Sequence, residues 1–194
     1  MTHAIDLEPF LAGDATAQRA VAAEIDAACR DTGFLHVVGH GVDDRLLAEM
    51  LDVSEAFFDL PFGRKTRFTD PVVANNRGYA AEGTEALGYS LADAEVPAPD
   101  LFEAFNVGRE DTAGDYFDRY RSFYAPNTWP DEPVELVDVW RRYLSALRQV
   151  NDTLLEVFAL ALGLDPMHLI DRTRRAVLTM RVINYQRRAG AAEP

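Results

Sequence analysis

Apolar residues recur every three or four positions in several stretches of the chain, which is the spacing of one face of an α-helix. The first stretch lies between Asp14, a typical N-cap residue, and Gly33, a typical residue after a helix end. The second begins after Asp43 or Asp44 and is closed by Pro61. The pattern predicts two amphipathic helices in the first third of the chain.

A third and longer helix is predicted between Pro133, which suits a first helical turn, and Gly163, which suits a helix end. Its apolar face is made of Val137, Trp140, Leu144, Leu147, Leu154, Phe158 and Ala161, with Asn151 in the same row. The segment from Pro166 to Asp171 predicts one further helical turn. A helix of this length with one apolar face needs another layer to pack on.

Three short segments predict β-strands between and after these helices. Phe34–Val38 is apolar throughout and bounded by glycines, which predicts a buried strand. Asp100–Gly108 alternates apolar and polar residues, and Val177–Tyr185 is rich in residues that favour strands. The last of these strands has an edge to pair and a face to bury. Helices with strands scattered among them predict an α+β fold, and no change in composition marks a domain boundary.

Composition excludes several classes of function. The 194 residues are 48% hydrophobic and carry a net charge of −13, which disfavours nucleic acid and anionic membrane surfaces as partners. No apolar run approaches the length of a membrane span, and the acidic N-terminus does not resemble a signal peptide. Cys29 is the only cysteine, so no intrachain disulfide is expected, and the chain is predicted to be cytoplasmic.

The histidines do not complete a metal site. A facial-triad iron centre usually takes two ligands from a His-x-Asp or His-x-Glu segment, and no histidine here has an acid two positions later. His36 is predicted to be a core histidine, and His40, between two glycines, to stabilise a turn. His168 and Asp171 share a helix face, which favours a surface or capping pair over a metal role. No catalytic and no metal-ligating residue is therefore predicted in this chain.

Two further features have a structural and a functional interpretation. Cys29 falls near the apolar side of the first helix, which favours a buried small hydrophobe over a nucleophile. Arginines gather near the end of the chain, and a solvated basic face is favoured over an anion site. One of them, Arg181, alternates with the apolar residues of the last strand, which places it on the opposite face of the sheet.

Several stretches, in their order along the chain, resemble one family. They are GFLHVVGHGV (Gly33–Val42), FFDLP (Phe57–Pro61), NRGYAAEGTE (Asn76–Glu85), DLFEAFNVG (Asp100–Gly108), NTWP (Asn127–Pro130), the long helix, and MRVINY (Met180–Tyr185). Together they resemble the isopenicillin N synthase-like branch of the iron(II)/2-oxoglutarate-dependent dioxygenases. The resemblance covers nearly all of the chain.

The resemblance implies the helical and mixed N-terminal region of a double-stranded β-helix, or jelly-roll, oxygenase. Residues 1–125 would form the N-terminal region, and residues 126–194 the long helix and the first jelly-roll strand or strands, in one continuous structural unit. Family members continue into a strand with His-x-Asp, then a distal His and Arg-x-Ser. This sequence ends before that segment, so the iron ligands are expected outside the chain, which is predicted to be inactive alone.

The resemblance also implies roles for individual residues. Tyr185 matches a tyrosine expected beside the carboxylate of 2-oxoglutarate, and Asn184 is its neighbour, although Gln186 stands where the family usually has proline. Arg77, Tyr79 and Phe105 resemble positions that border the substrate opening. Packing is the alternative role for each of these residues. His40 matches a structural histidine that does not bind iron.

Three interpretations remain open from the sequence. In the first, the complete protein is an oxygenase that uses Fe(II), O2 and 2-oxoglutarate, or another cosubstrate scheme found in this branch, to hydroxylate, desaturate or cyclise a small molecule. In the second, the chain is a non-catalytic remnant that binds a partner or a small molecule. In the third, it is one half of a split oxygenase and pairs with a complementing C-terminal half that carries His-x-Asp.

Overall fold

The computed structural model describes residues 4–84 and 100–185. Helices and short strands alternate along the chain, which confirms the α+β class. The strands are β1 (Ala4–Asp6), β2 (His36–Val38), β3 (Gly78–Ala80), β4 (Glu103–Gly108) and β5 (Thr179–Asn184). The helices are α1 (Glu8–Ala12), α2 (Ala15–Asp31), α3 (Asp44–Phe58), α4 (Phe62–Lys65), α5 (Asp115–Arg119), α6 (Leu136–Ala161) and α7 (Met167–Thr173).

The chain divides into two compact units, each assembled from two separate stretches. The first unit comprises residues 1–49 and 140–176, and the second comprises residues 50–139 and 177–194. The predicted boundary between residues 125 and 126 divides the sequence differently and stays a prediction.

The first unit has a small parallel sheet and a core on α2. β1 pairs with β2 in the register Ala4↔His36 to Asp6↔Val38. Asp14 caps α2, because its carboxylate accepts from the backbone N–H groups of Thr16 at 2.8 Å and Ala17 at 3.0 Å. The predicted cap is confirmed. The buried core residues are Ile5, Leu7, Phe10, Val21, Ala22, Ile25 and Val157.

Three burial predictions in this unit are wrong. β2 is not a buried strand, because His36 and Val38 are exposed and only Val37 packs against the core. In the described residues β2 belongs to a two-stranded sheet, so alternate side chains of this strand face away from the core. His36 is therefore not a core histidine. Cys29 is also exposed, since the packed stripe of α2 continues through Ala28 instead.

The long helix α6 is present, and its C-terminal end is where Gly163 predicts it. It begins at Leu136, so Pro133 precedes the helix instead of lying in its first turn. It ends in a Schellman motif at Gly163, whose φ is +68°. Gly163 N–H donates to the Leu160 carbonyl at 3.0 Å, and Leu164 N–H donates to the Ala159 carbonyl at 2.8 Å. The predicted extra turn after Pro166 is present as α7. No helix among the described residues is long and apolar enough to cross a membrane.

The second unit contains an antiparallel sheet of order β3-β4-β5. The predicted strands at Asp100–Gly108 and Val177–Tyr185 are present, as β4 and β5. Phe57 of α3 packs against Phe105 with ring centroids 5.0 Å apart, and the same ring contacts Phe58, Phe68 and Tyr79. This aromatic cluster packs on the face of the sheet that carries Tyr79 and Phe105.

Candidate functional site

A buried carboxylate lies at the end of the sheet in the second unit. Glu103 is only 2% exposed. Its Oε2 accepts from Lys65 Nζ at 2.6 Å and from the Tyr79 hydroxyl at 2.5 Å. Its Oε1 accepts from Asn184 Nδ2 at 3.0 Å. We call these four residues, Lys65, Tyr79, Glu103 and Asn184, the Glu103 cluster.

Local structure explains how the cluster forms. Glu103 and Phe105 are two positions apart on β4, so their side chains share a face. The strand register places Asn184 opposite Glu103 and Tyr79 opposite Phe105. Pro61 precedes α4, the turn that brings Lys65 under the sheet, where its ammonium also donates to the Phe58 carbonyl at 2.7 Å. The cluster therefore joins α4 to all three strands.

Burial sets the electrostatics of the cluster. Lys65 is 4% exposed, so both partners of this ion pair are withdrawn from water and depend on one another. The pKa of Tyr79 is raised, mainly because burial disfavours the phenolate and also because its hydroxyl donates to the Glu103 carboxylate. Tyr79 is therefore held as a neutral hydrogen-bond donor.

The two residues predicted to bind the cofactor have different surroundings. The Asn184 amide is turned into the Glu103 cluster. The Tyr185 ring is 71% exposed and lies edge-on to Phe102, with centroids 5.6 Å apart. The structure brings Tyr185 to the sheet end that the cluster fixes. Their predicted contact with 2-oxoglutarate stays a prediction.

Arg77 is anchored to backbone. It is 6% exposed, and its guanidinium donates to the carbonyls of Asn76 at 2.9 Å, Asn75 at 3.1 Å and Ala125 at 3.3 Å. The same group occupies the space where a side chain at Gly108 would lie. Burial lowers the pKa of Arg77, and the nearby Asp70 carboxylate partly offsets this. Its guanidinium therefore holds two loops to the end of β4.

Tyr79 and Phe105, the other residues predicted to border the substrate opening, are 2% and 0% exposed. They lie directly opposite each other on β3 and β4, and both contact Phe57. In the structure, the rings of Tyr79 and Phe105 therefore serve packing. A role at the substrate opening stays a prediction for Arg77, Tyr79 and Phe105.

The described residues do not supply an iron site. No group of three or more His, Cys, Asp or Glu side chains in residues 4–84 and 100–185 could hold a metal ion. His40 Nδ1 accepts from the Val42 N–H at 3.2 Å, which is the turn-stabilising role predicted for it. Asp171 accepts from Arg174 at 2.9 Å rather than joining His168. The residues of this part of the chain therefore do not fit Fe(II).

Sequence reasoning missed Lys65 and Glu103. A signal for Glu103 was available, because an acid that alternates with Phe105 and Val107 falls on the buried face of its strand. Such an acid requires a buried partner. Nothing in the local sequence identifies Lys65 as that partner, since 38 residues separate the two.

Comparison with solved structures identifies the fold. The chain matches structures of 2-oxoglutarate oxygenases over most of its length. A full-length protein of Neurospora crassa, solved in complex with alpha-KG, matches with a TM-score of 0.75 at 24% identity, over 95% of this chain and 54% of that one. A 2OG-Fe(II) oxygenase family protein from Caulobacter crescentus matches with a TM-score of 0.77 at 23% identity, over 94% and 55%. These likenesses show the fold.

The family follows from the sequence. The family model described as "non-haem dioxygenase in morphine synthesis N-terminal" matches residues 3–132, which is more than half of the chain. The chain belongs to this dioxygenase family, as its N-terminal portion, and the resemblance to the isopenicillin N synthase-like branch is confirmed.

Curated relatives agree. Validamycin A dioxygenase of Streptomyces hygroscopicus subsp. limoneus is 32% identical over 184 residues, which are 93% of this chain and 48% of that protein. A homoarginine-6-hydroxylase of Arabidopsis thaliana is 30% identical over 166 residues, which are 85% and 44%. The chain spans about half the length of these relatives. At the level of the family, the prediction of 2-oxoglutarate and iron is confirmed.

Proposed function

We propose that the complete protein is an Fe(II)- and 2-oxoglutarate-dependent oxygenase of a small molecule, and that this chain supplies its N-terminal part. The observation that carries the proposal is the 32% identity to validamycin A dioxygenase along 93% of the chain. The single cysteine agrees with a reducing cytoplasm, where we expect the protein to work.

The described residues contribute support and cofactor contact in this proposal. When bound, Fe(II) and 2-oxoglutarate supply the oxidising chemistry for hydroxylation, desaturation or cyclisation. Tyr185, whose ring is exposed at the end of β5, would hold 2-oxoglutarate by donating a hydrogen bond from its hydroxyl to a carboxylate. Asn184 positions Tyr185 through the Glu103 cluster. Arg77, Tyr79 and Phe105 fix the sheet that borders the substrate.

We propose further that the chain alone is inactive. A facial triad needs two His and one carboxylate, and residues 4–84 and 100–185 contain no such group. In the described residues β5 is an outer strand that pairs with β4 only, and Ile183 on it is 40% exposed. Its other edge therefore suits a complementing segment with the iron ligands, in the same polypeptide or in a separate chain.

The test is turnover of 2-oxoglutarate by the protein made from its natural gene. We expect succinate to form only when Fe(II) and O2 are both present. Candidate substrates for this assay are homoarginine and validamycin A, which relatives are named for. Failure to form succinate with added Fe(II), in a folded protein, would instead favour the non-catalytic binding remnant. Co-purification with a His-x-Asp chain that restores succinate formation would identify the split arrangement.

A further inference from the structure

The sheet of the second unit has a second face, opposite the Glu103 cluster. Side chains alternate along β4, so Ala104 and Asn106 project to the side away from Glu103 and Phe105, and Gly108 is the next position on that side. Residues directly opposite in the register share a face, which adds Arg181 and Ile183 of β5. We call these five residues, Ala104, Asn106, Gly108, Arg181 and Ile183, the Asn106 face.

Asn106 carries the unusual group on this face. The residue is 2% exposed, and no hydrogen-bond partner for its Oδ1 lies within the part of the chain that the structure describes. Buried side-chain acceptors nearly always have a partner, and asparagine is also disfavoured inside strands. On β3, the residue opposite Asn106 is Gly78, which has no side chain to offer. A ligand with an N–H or O–H donor would satisfy this oxygen.

A cation lies beside this acceptor. Arg181 is directly opposite Asn106 in the register, and its guanidinium lies over the Phe102 ring at 5.1 Å. A guanidinium has five donors, so it can bind a carboxylate while it keeps its other contacts. Asn106 Oδ1 and the Arg181 guanidinium are therefore complementary to a ligand that carries a hydrogen-bond donor next to an anionic group.

The same face leads to Tyr185. Phe102 contacts both the Arg181 guanidinium and the Tyr185 ring. Asn106 is four residues along the chain from Phe102, a distance of about 13 Å in an extended strand. The face is open toward β5, where Ile183 and Tyr185 are exposed. A small molecule bound at Asn106 would therefore lie within reach of the residue proposed to contact 2-oxoglutarate.

We propose that Asn106 and Arg181 recognise the head group of an α-amino acid substrate. The ammonium donates to Asn106 Oδ1, and the carboxylate pairs with the Arg181 guanidinium. This assignment rests on the proposed oxygenase function, because it places an organic substrate next to the cofactor residue.

The first test compares two substitutions of asparagine by leucine near β4 in the protein made from its natural gene. Asn127 is a matched control, because its Oδ1 accepts from Gly108 N–H at 2.6 Å and its Nδ2 donates to the Gly108 carbonyl at 3.0 Å. Asn127→Leu should lower the melting temperature. Asn106→Leu should leave it unchanged or raise it, because it removes a buried acceptor that has no partner among residues 4–84 and 100–185. A fall as large as that of Asn127→Leu would overturn the proposal.

The second test measures binding, with the twenty standard L-amino acids and L-homoarginine as probes and uracil as a probe with an amide edge. At least one amino acid should raise the melting temperature of the wild-type protein, and the shift should be lost in Asn106→Leu. No shift with any amino acid, a shift with uracil only, or a shift that survives the substitution would overturn the proposal. This readout needs no turnover, whereas failure of the oxygenase proposal appears as absent Fe(II)-dependent succinate formation.

Discussion

The Lys65 ammonium lies 2.6 Å from the Glu103 carboxylate, and both side chains are more than nine-tenths buried. A buried ion pair contributes little net stability compared with apolar residues of the same shape, but removing one partner leaves a charge without compensation. The pair joins α4 to the middle strand of the sheet. The conformation of this end of the sheet, including Asn184 and Tyr185, is therefore expected to depend on the ion pair.

Breaking the pair from either side should be costly. Glu103→Leu or Lys65→Met should each lower the free energy of unfolding by about 3–5 kcal/mol, measured by urea denaturation. The double substitution should cost less than the sum, because no charge remains buried. Glu49→Gln, which breaks the exposed ion pair with Arg142, is the control and should cost less than about 1 kcal/mol. Additive single costs would contradict this account.

Tyr79 should make stability depend on alkaline pH. An unfolded tyrosine ionises near pH 10, whereas the raised pKa of Tyr79 keeps the folded phenol protonated at higher pH. Above about pH 10 the unfolded state then binds fewer protons than the folded state, so the free energy of unfolding falls as pH rises. Tyr79→Phe should flatten this fall relative to wild type. Tyr120→Phe, at a partly exposed ring, serves as control, and an equal flattening there would refute the assignment.

The stability of the fold should depend on the planar guanidinium of Arg77 and not only on its charge. Arg77→Lys keeps the charge but cannot donate to three separate carbonyls from a planar fork, so we expect a loss of about 2–4 kcal/mol. Arg67→Lys, at an exposed arginine, should change stability by less than about 0.5 kcal/mol. Equal stability of Arg77→Lys and wild type, with a raised KM for substrate, would show that Arg77 serves the substrate instead.

Two glycines with positive φ should differ in their tolerance of alanine. Gly41 has a φ of +78° and open space where an added methyl group would lie, so Gly41→Ala should cost about 1 kcal/mol from backbone strain. Gly78 has a φ of +72°, and an added Cβ would lie 2.2 Å from the Phe68 carbonyl oxygen. Gly78→Ala should therefore cost about 1–3 kcal/mol more, measured by urea denaturation. Similar costs at both positions would argue against the close approach of the Phe68 loop to β3.

Local signals in the sequence predicted the regular elements well. Asp14 and Gly163 mark helix ends because capping is a property of a few neighbouring residues. The alternation of apolar and polar residues located β4, and apolar periodicity located α6, because these patterns are also properties of residues that are close in sequence. β1 was not predicted, since it is three residues long and pairs with a strand some thirty positions away. The exposure of His36 was also missed, because burial depends on which layer covers a strand.

The candidate site was less predictable. The resemblance singled out Arg77, Tyr79, Phe105, Asn184 and Tyr185. It did not include the buried carboxylate of Glu103, to which Tyr79 and Asn184 both donate, although alternation along β4 places this acid on the buried face. The Lys65–Glu103 contact joins a helical turn to a distant strand, and only the folded chain brings these residues together. The unusual surroundings of Asn106 Oδ1 could not be found from the sequence either, because only the folded structure shows that its described neighbours offer this oxygen no donor.

The most direct measurement is succinate formation from 2-oxoglutarate by two proteins, the product of the natural gene and residues 1–194 alone. The account predicts Fe(II)-dependent succinate from the natural product, with Tyr185→Phe raising its KM for 2-oxoglutarate, and none from residues 1–194. Fe(II)-dependent succinate from residues 1–194 alone, or none from a folded natural product, would contradict it.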